Sequence, residues 1–304
     1  MTGIYKHKEN QPVVWFHRQK SKSNQWCLYC GSFLGEELKI ESNKEHLIAR
    51  EFVPKGSLSD KCFNFIFRAC SVCNNKKANI ERHISSTTII NSSARSVSQE
   101  IDQLALNKAK KDFHPDNPGK TVIESCGEIK VNYGNIMQFG YVFPPQIKNN
   151  YIKELALRHI QGIYSLITTK NYEESRLLPP KQLWFFDAFN EQDWGNPEIL
   201  EVIERTKEWP CFCNIVTANG FFKIIMKRSC DDGWFWALEW NKYLRVIGGI
   251  SLEDKPQQLF SNLPDLDWKD RGMQGNDKIR KRLEIPLNSI DELFNGTVSN
   301  EKNT

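Results

Sequence analysis

Apolar positions along this 304-residue chain fall into helical and strand-like patterns that change from segment to segment. Residues 151–169 carry Leu155, Ala156, His159, Ile160, Ile163, Leu166 and Ile167 at helical spacing, as one buried face of a helix requires. Residues 197–209, PEILEVIERTKEW, predict a second helix, with Pro at its start and Asn196 placed to cap it. Between the two, QLWFFDAF (182–189) reads as a short strand. The runs FCNIVTA, FFKIIMKR and WFWALEW follow, separated by Asn219-Gly220 and Asp232-Gly233, dipeptides that signal hairpins. LRVIGGI (244–250) adds a fourth strand to this meander, and EIKVNY (128–133) pairs with IMQFGYVF (136–143) around Gly134-Asn135. By pattern, the second half is a mixed α+β domain with an antiparallel meander.

The first half is less regular. Residues 1–25 are polar and basic, with Trp15-Phe16-His17-Arg18 as an aromatic–basic insert, and form either a flexible arm or an edge strand. An amphipathic helical run begins near Asn75–Lys77 and extends toward Leu106. Thr87-Thr88-Ile89-Ile90 and Ser92-Ser93 are weak helix formers within it and mark a break. FHPDNPGK (113–120) reads as a linker. Beyond residue 253 the chain turns polar, and 291–304 is expected to fray. These shifts divide the chain into 1–112, a linker at 113–127, an α+β domain at 128–262 and a polar segment at 263–304.

No apolar run approaches the roughly 20 residues needed to span a bilayer, and the N-terminus lacks the apolar stretch of a secretory signal. A soluble, cytoplasmic protein without a membrane partner is the expectation. Residues 1–120 carry 19 Lys/Arg against 12 Asp/Glu, whereas the remainder carries 22 against 25. The basic half suits a phosphate backbone, although a solvated basic face is common. The nine cysteines are odd in number, and no disulfide framework is expected. Cys62, Cys126, Cys211, Cys213 and Cys230 read as inert thiols. In a regular strand Cys211 and Cys213 would point to one face, but no second pair of ligands lies nearby.

The other four cysteines form two knuckles, Cys27-Leu-Tyr-Cys30 and Cys70-Ser-Val-Cys73. Two CxxC pairs can converge on one structural zinc at about 2.3 Å per sulfur. The gap between them holds Glu45-His46-Leu-Ile, and Asn74, Glu81 and His83 follow the second pair. His46 is a candidate general base, since a neutral imidazole can take a proton from water attacking a phosphodiester. Glu45 and one helix residue could ligate a divalent cation such as Mg²⁺. Glu81 and His83 lie about 200° apart on a helix, so one of them fits that role. Glu81 can instead form a surface pair with Lys77 at i+4, which favours His83. Arg50, Lys55, Lys76, Lys77 and Arg82 are close enough in sequence to clamp phosphates.

EHLIAREFVPKGSL and CNNKKANIERHIS resemble the zinc-knuckle branch of the HNH endonucleases over roughly residues 26–95. The resemblance implies an N-terminal zinc-stapled ββα-metal HNH domain that hydrolyses double-stranded DNA. It implies Glu45 as first metal ligand, His46 as base, Asn74 as loop brace and catalytic residue, and His83 as last ligand, with Glu81 the alternative. Structural Zn²⁺ and catalytic Mg²⁺ or another divalent cation come with it. Ala49 departs from the Pro that many members carry after EHxI, and Pro54 stands later in the loop. A stand-alone protein of this plan is similar to restriction or antiphage-defence nucleases such as the accessory nuclease of Zorya type II systems. That likeness would add other defence proteins as partners. A homing or mobile-element nuclease would show the same motif.

A zinc-stabilised nucleic-acid or protein-binding module without turnover is the alternative reading. The second half carries no comparable constellation. Its aromatics, Trp184-Phe185-Phe186, Trp234-Phe235-Trp236 and Trp240, serve as core or as base-stacking surface, and Arg228, Lys242 and Arg245 stand near strand ends. A weakly sequence-selective nickase is the expectation, because the basic residues near the site suit phosphates and no base-reading element is evident.

Overall fold

The structure is a computed structural model that describes residues 14–15, 24–35, 40–59, 61–115, 117–125, 127–133, 137–143, 146–168, 182–231, 233–251, 258–274 and 277–296. The fold is mixed α+β. Strand β1 (Val14–Trp15) pairs in parallel with β3 (Phe65–Cys70), which pairs antiparallel with β2 (Ser42–His46). The N-terminal arm thus contributes an edge strand, and its residues 1–13 and 16–23 lie outside the described residues. Helix α1 (Ser71–Asn91) leaves β3 directly and starts earlier than the sequence pattern placed it.

The Ser/Thr run inside α1 stays helical because its hydroxyls bond within the helix. Ser86, Thr87 and Thr88 donate to the carbonyls of Arg82, His83 and Ile84, so buried polar groups are satisfied at little cost. The helix then stops at Ser92-Ser93, where extended backbone at Ser92 precedes α2 (Ala94–Val97) and α3 (Gln99–Lys111). Ser98 caps α3 by accepting from the Ile101 amide. Residues expected as a linker instead hold a small ladder, β4 (Phe113–His114) with β5 (Asn117–Thr121), and a 3₁₀ turn at Ile123–Ser125. Strands β6 (Gly127–Tyr133) and β7 (Met137–Phe143) form the expected hairpin, its turn lying outside the described residues.

Helix α4 (Asn149–Thr168) follows, then β8 (Leu183–Asn190) and α5 (Pro197–Arg205). The Asn196 side chain caps α5 by accepting from Glu198. Strands β9 (Cys211–Thr217), β10 (Phe222–Arg228), β11 (Trp234–Trp240) and β12 (Leu244–Ile250) form the meander, and β8 completes a five-stranded sheet in the order β8-β12-β11-β10-β9. Strands β13 (Trp268–Gln274) and β14 (Asp277–Arg282) extend the β6–β7 hairpin into a second sheet, β14-β13-β6-β7.

Both faces of the five-stranded sheet are covered. One presents Ile215, Phe222, Ile224, Met226, Trp236, Leu238 and Trp240 to α4 and to the first half. The other presents Ile225, Phe235, Ala237 and Ile247 to α5 and to Leu293 and Phe294. Trp234, Trp236 and Trp240 are therefore core residues, not a stacking platform. The polar C-terminal segment is anchored as far as residue 296: Leu293 and Phe294 are buried, and Asn214 donates to the carbonyls of Phe294 and Gly296. Residues 297–304 lie outside the described residues.

Cys211 and Cys213 sit in different cores, Cys213 under α4 and Cys211 under α5. The pairing jumps from Cys213↔Met226 to Cys211↔Lys227, leaving Phe212 as the extra residue of a β-bulge. A bulge adds one residue to the two-residue period and flips the side chain beyond it, so the two sulfurs do not share a face.

The first core runs without interruption from Leu47, Phe52 and Ile84 in the first half to Leu155, Phe222 and Trp240 in the second. Thr217 donates to the Phe63 carbonyl at 2.9 Å, and the buried Asn241 amide donates to Phe52 O and Thr88 Oγ1. The segments 1–112 and 128–262 therefore share a core where the sequence pattern divided them.

Candidate functional site

The four knuckle cysteines converge. Cys27 and Cys30 flank a tight turn in which Gly31 donates to the Cys27 carbonyl with φ at 73°, a backbone region that suits glycine. Cys70 ends β3 and is the N-cap of α1, while Cys73 lies in the first turn of that helix. The strand-to-helix junction thereby turns both sulfurs toward the first knuckle. All four Sγ atoms lie within 4.8 Å of one another, and Cys30 and Cys70 are 3.7 Å apart. A tetrahedron of sulfurs around zinc has edges of about 3.8 Å, so the set can hold a metal ion such as zinc. The Cys73 thiol bonded to Cys27 holds that thiol down to about 4, against the opposing effect of burial. The same contact, with burial, pushes Cys73 up.

Glu45 and His46 end β2, one residue pair from the loop that carries Leu47 and Ile48. The Glu45 side chain is only 5% exposed, and both its hydrogen-bonding neighbours meet Oε1: Tyr29 Oη at 3.0 Å and Lys77 Nζ at 2.7 Å. The Lys77 ammonium also lies 2.8 Å from Glu81 Oε1 and donates to the His46 carbonyl at 3.1 Å. Its three N–H donors thus have three acceptors. The Lys77–Glu81 contact is a buried ion pair rather than the surface pair expected from i+4 spacing, and Lys77, at 1% exposure, is not a phosphate clamp. Glu81 also accepts from the Ala49 amide and lies 3.6 Å from His159 Nε2 of α4.

Electrostatics follow from this burial. Burial raises the Glu45 carboxyl, and Lys77 only partly offsets it. Burial also opposes charge on Lys77 and on Glu81, but their mutual attraction wins, leaving Lys77 raised and Glu81 lowered. Burial pushes His159 down to about 4, so it is neutral at physiological pH. Two carboxylates therefore face one ammonium, and the cluster has room for a further positive charge or proton. His46 is half-buried; burial first, then Lys44, Arg50 and Lys77, lowers its pKa. Its imidazole is neutral at pH 7, as a general base must be.

The helix side of the site differs from expectation. Lys77 and Glu81 define the face of α1 turned to Glu45, and His83 lies about 200° beyond Glu81. Its fully buried ring instead meets His114 at a centroid distance of 4.8 Å and Tyr151 at 6.2 Å. Asn74 lies three residues before Lys77 in the first turn of α1, near the Lys77 face by helical periodicity.

The loop brace is Asn64, which the sequence reading missed. It is 2% exposed, its Oδ1 accepts from the Ile48 amide at 3.1 Å, and its Nδ2 donates to the Ile48 carbonyl at 2.8 Å. This two-way bond ties the residues after His46 to the start of β3. Asn74 makes no such bond to the loop among the described residues. A polar amide directly before an apolar strand run was the available signal. Arg50, Lys55 and Arg82 are exposed, and Lys76 is exposed while pairing with Glu154 at 2.9 Å. In the second half, Arg245 is buried between Glu239 and Asp291, Lys242 lies over the Phe221 ring and Arg228 over Trp234.

Among the described residues no helix is long and apolar enough to cross a membrane. Compared with known proteins, the chain matches no family model, no curated protein and no solved structure.

Proposed function

We propose that this protein is a metal-dependent endonuclease of HNH type acting on double-stranded DNA. The observation that carries the reading is that one strand–strand–helix unit bears the four-cysteine cluster at one end of its β2–β3 ladder and Glu45-His46 at the other, with the His46 imidazole kept neutral by burial and neighbouring cations. His46 takes the proton from a water that attacks the phosphodiester; the new P–O bond forms as the P–O3′ bond breaks. Glu45 would be one ligand of a divalent cation, which when bound supplies electrostatic stabilisation to the phosphate and the leaving oxygen. Exposed Arg50, Lys55, Lys76 and Arg82 around this unit suit contacts to flanking phosphates. Such contacts position a duplex without reading its sequence, so the cut is weakly selective. The decisive experiment is cleavage of supercoiled plasmid with and without Mg²⁺ or Mn²⁺, using His46→Ala as control. Metal-dependent cleavage lost in the variant supports the assignment; no cleavage with any divalent cation overturns it.

A second reading, a zinc-stapled binding module without turnover, rests on the closure of Glu45 by Tyr29 and Lys77. Duplex binding without cleavage, equal in wild type and His46→Ala, is the outcome that selects it.

A further inference from the structure

We infer that Lys77, Glu81 and His159 are positioning residues for His46 and Glu45, so that helix α4 of the second half is part of the site. This inference rests on the nuclease reading above. Lys77 binds the backbone carbonyl of the candidate base and the carboxylate beside it through one ammonium, at 3.1 and 2.7 Å. Glu81 holds that ammonium from the other side at 2.8 Å and braces the loop after His46 through the Ala49 amide. His159 stands behind Glu81 at 3.6 Å, its ring packed edge-on against Phe52, Phe222 and Trp240.

A line of buried polar groups thus runs from α4 to the end of β2, hydrogen-bonded from Glu81 through Lys77 to Glu45 and the His46 carbonyl, with His159 in contact behind it. Lys77, Glu81 and His159 are each at most 3% exposed, so none of the three touches a phosphate. Two further contacts fix α4 against the unit. Arg158 donates to the Cys73 carbonyl at 2.9 Å and lies over the Tyr29 ring at 5.0 Å. At Gly162 an added Cβ would come within 2.4 Å of Leu47 Cδ1, so α4 approaches the residue after His46 as closely as a helix backbone allows.

Groups that hold other active-site groups typically matter 10- to 100-fold although they touch no substrate. His159→Phe keeps the ring volume and removes the contact to Glu81, while His159→Gln restores a donor. On a duplex oligonucleotide in the full-length protein, His159→Phe is expected to lower kcat about 10-fold with KM within about 3-fold, and Gln to recover most of the loss. Lys77→Met is expected to lower kcat about 100-fold. The readout independent of turnover is the ¹⁵N-histidine spectrum without added Mg²⁺: in His159→Phe the His46 ring signals shift while zinc content is unchanged. Wild-type kcat in His159→Phe together with unmoved His46 signals overturns the inference. If the wild-type protein cleaves nothing, the nuclease reading falls and the spectrum alone decides: shifted His46 signals uphold positioning, unmoved ones refute it. Should Lys77→Met fail to fold, the His159 pair still decides the matter.

Discussion

At the scale of single residues, the proposed site separates chemistry from support. His46 is half-buried and contributes its backbone to the Lys77 cluster, so truncating its side chain leaves that cluster intact. His46→Ala should lose about 10²- to 10⁴-fold in cleavage while its thermal midpoint stays within about 2 °C of wild type; a comparable drop in stability would recast His46 as a fold residue. His159 behaves in the opposite way. Its pKa is about 4 in the folded chain against about 6.5 unfolded. Between these values the unfolded chain binds one proton more, so stability falls as pH falls from 6.5 toward 4. The span amounts to about 3 kcal/mol. Urea midpoints measured from pH 7 to pH 4.5 should show that decline in wild type and a shallower one in His159→Phe. A pH-independent difference between the two would show that His159 does not stay neutral on folding.

At the scale of elements, the staple and the helix contact govern β2, β3 and α1. The staple joins the first knuckle to the β3–α1 junction, and structural zinc in such sites contributes on the order of 10 kcal/mol. Purified protein should contain one zinc per chain by elemental analysis, and Cys73→Ser should lose both that zinc and the fold of the first half. Full zinc-free stability would exclude a structural metal. Gly162→Ala tests the α4 contact: Leu47 is fully buried, so it cannot swing aside, and overpacking of this kind costs about 1–3 kcal/mol. Chemical denaturation of the variant checks that figure. An unchanged midpoint would mean that α4 can shift away from Leu47 without cost.

At the scale of the molecule, the shared core makes the two halves one folding problem. Phe52 packs against Phe222 and Trp240, and Asn241 reaches across to α1. A fragment ending at residue 115 would expose that face, so it should lack dispersed amide signals even with zinc, whereas the full chain should show them. On the proposed nuclease reading, the His46 site also sets the expected pattern of cutting. One general base serves one scissile phosphate at a time, so supercoiled plasmid should pass to open circle first, with linear product later and rising with protein concentration. Linear DNA formed at once by a protein shown to be monomeric would rule out single-site nicking.

Local chemistry by itself determined much of this protein. The knuckle spacings name the staple, Asn-Gly and the apolar runs name the meander, and Pro197 behind Asn196 names the start of α5, because each depends on residues within a few positions of one another. Glu45-His46 was likewise visible as a dyad. What only the tertiary structure decided are the relations between distant segments. Lys77 and Glu81 have the spacing of a solvated helix pair, and nothing local distinguishes that from a buried ion pair; α4 arriving from residues 149–168 makes the difference. His83 offered a suitable imidazole, but the rotation of α1 against β2 turns it to His114 instead. Asn64 became the brace because the loop after His46 folds back onto the start of β3. A single extra residue at Phe212 sent Cys211 and Cys213 to opposite cores. In each case the residue type fixed what the side chain can do, and packing across the chain fixed which partner it meets.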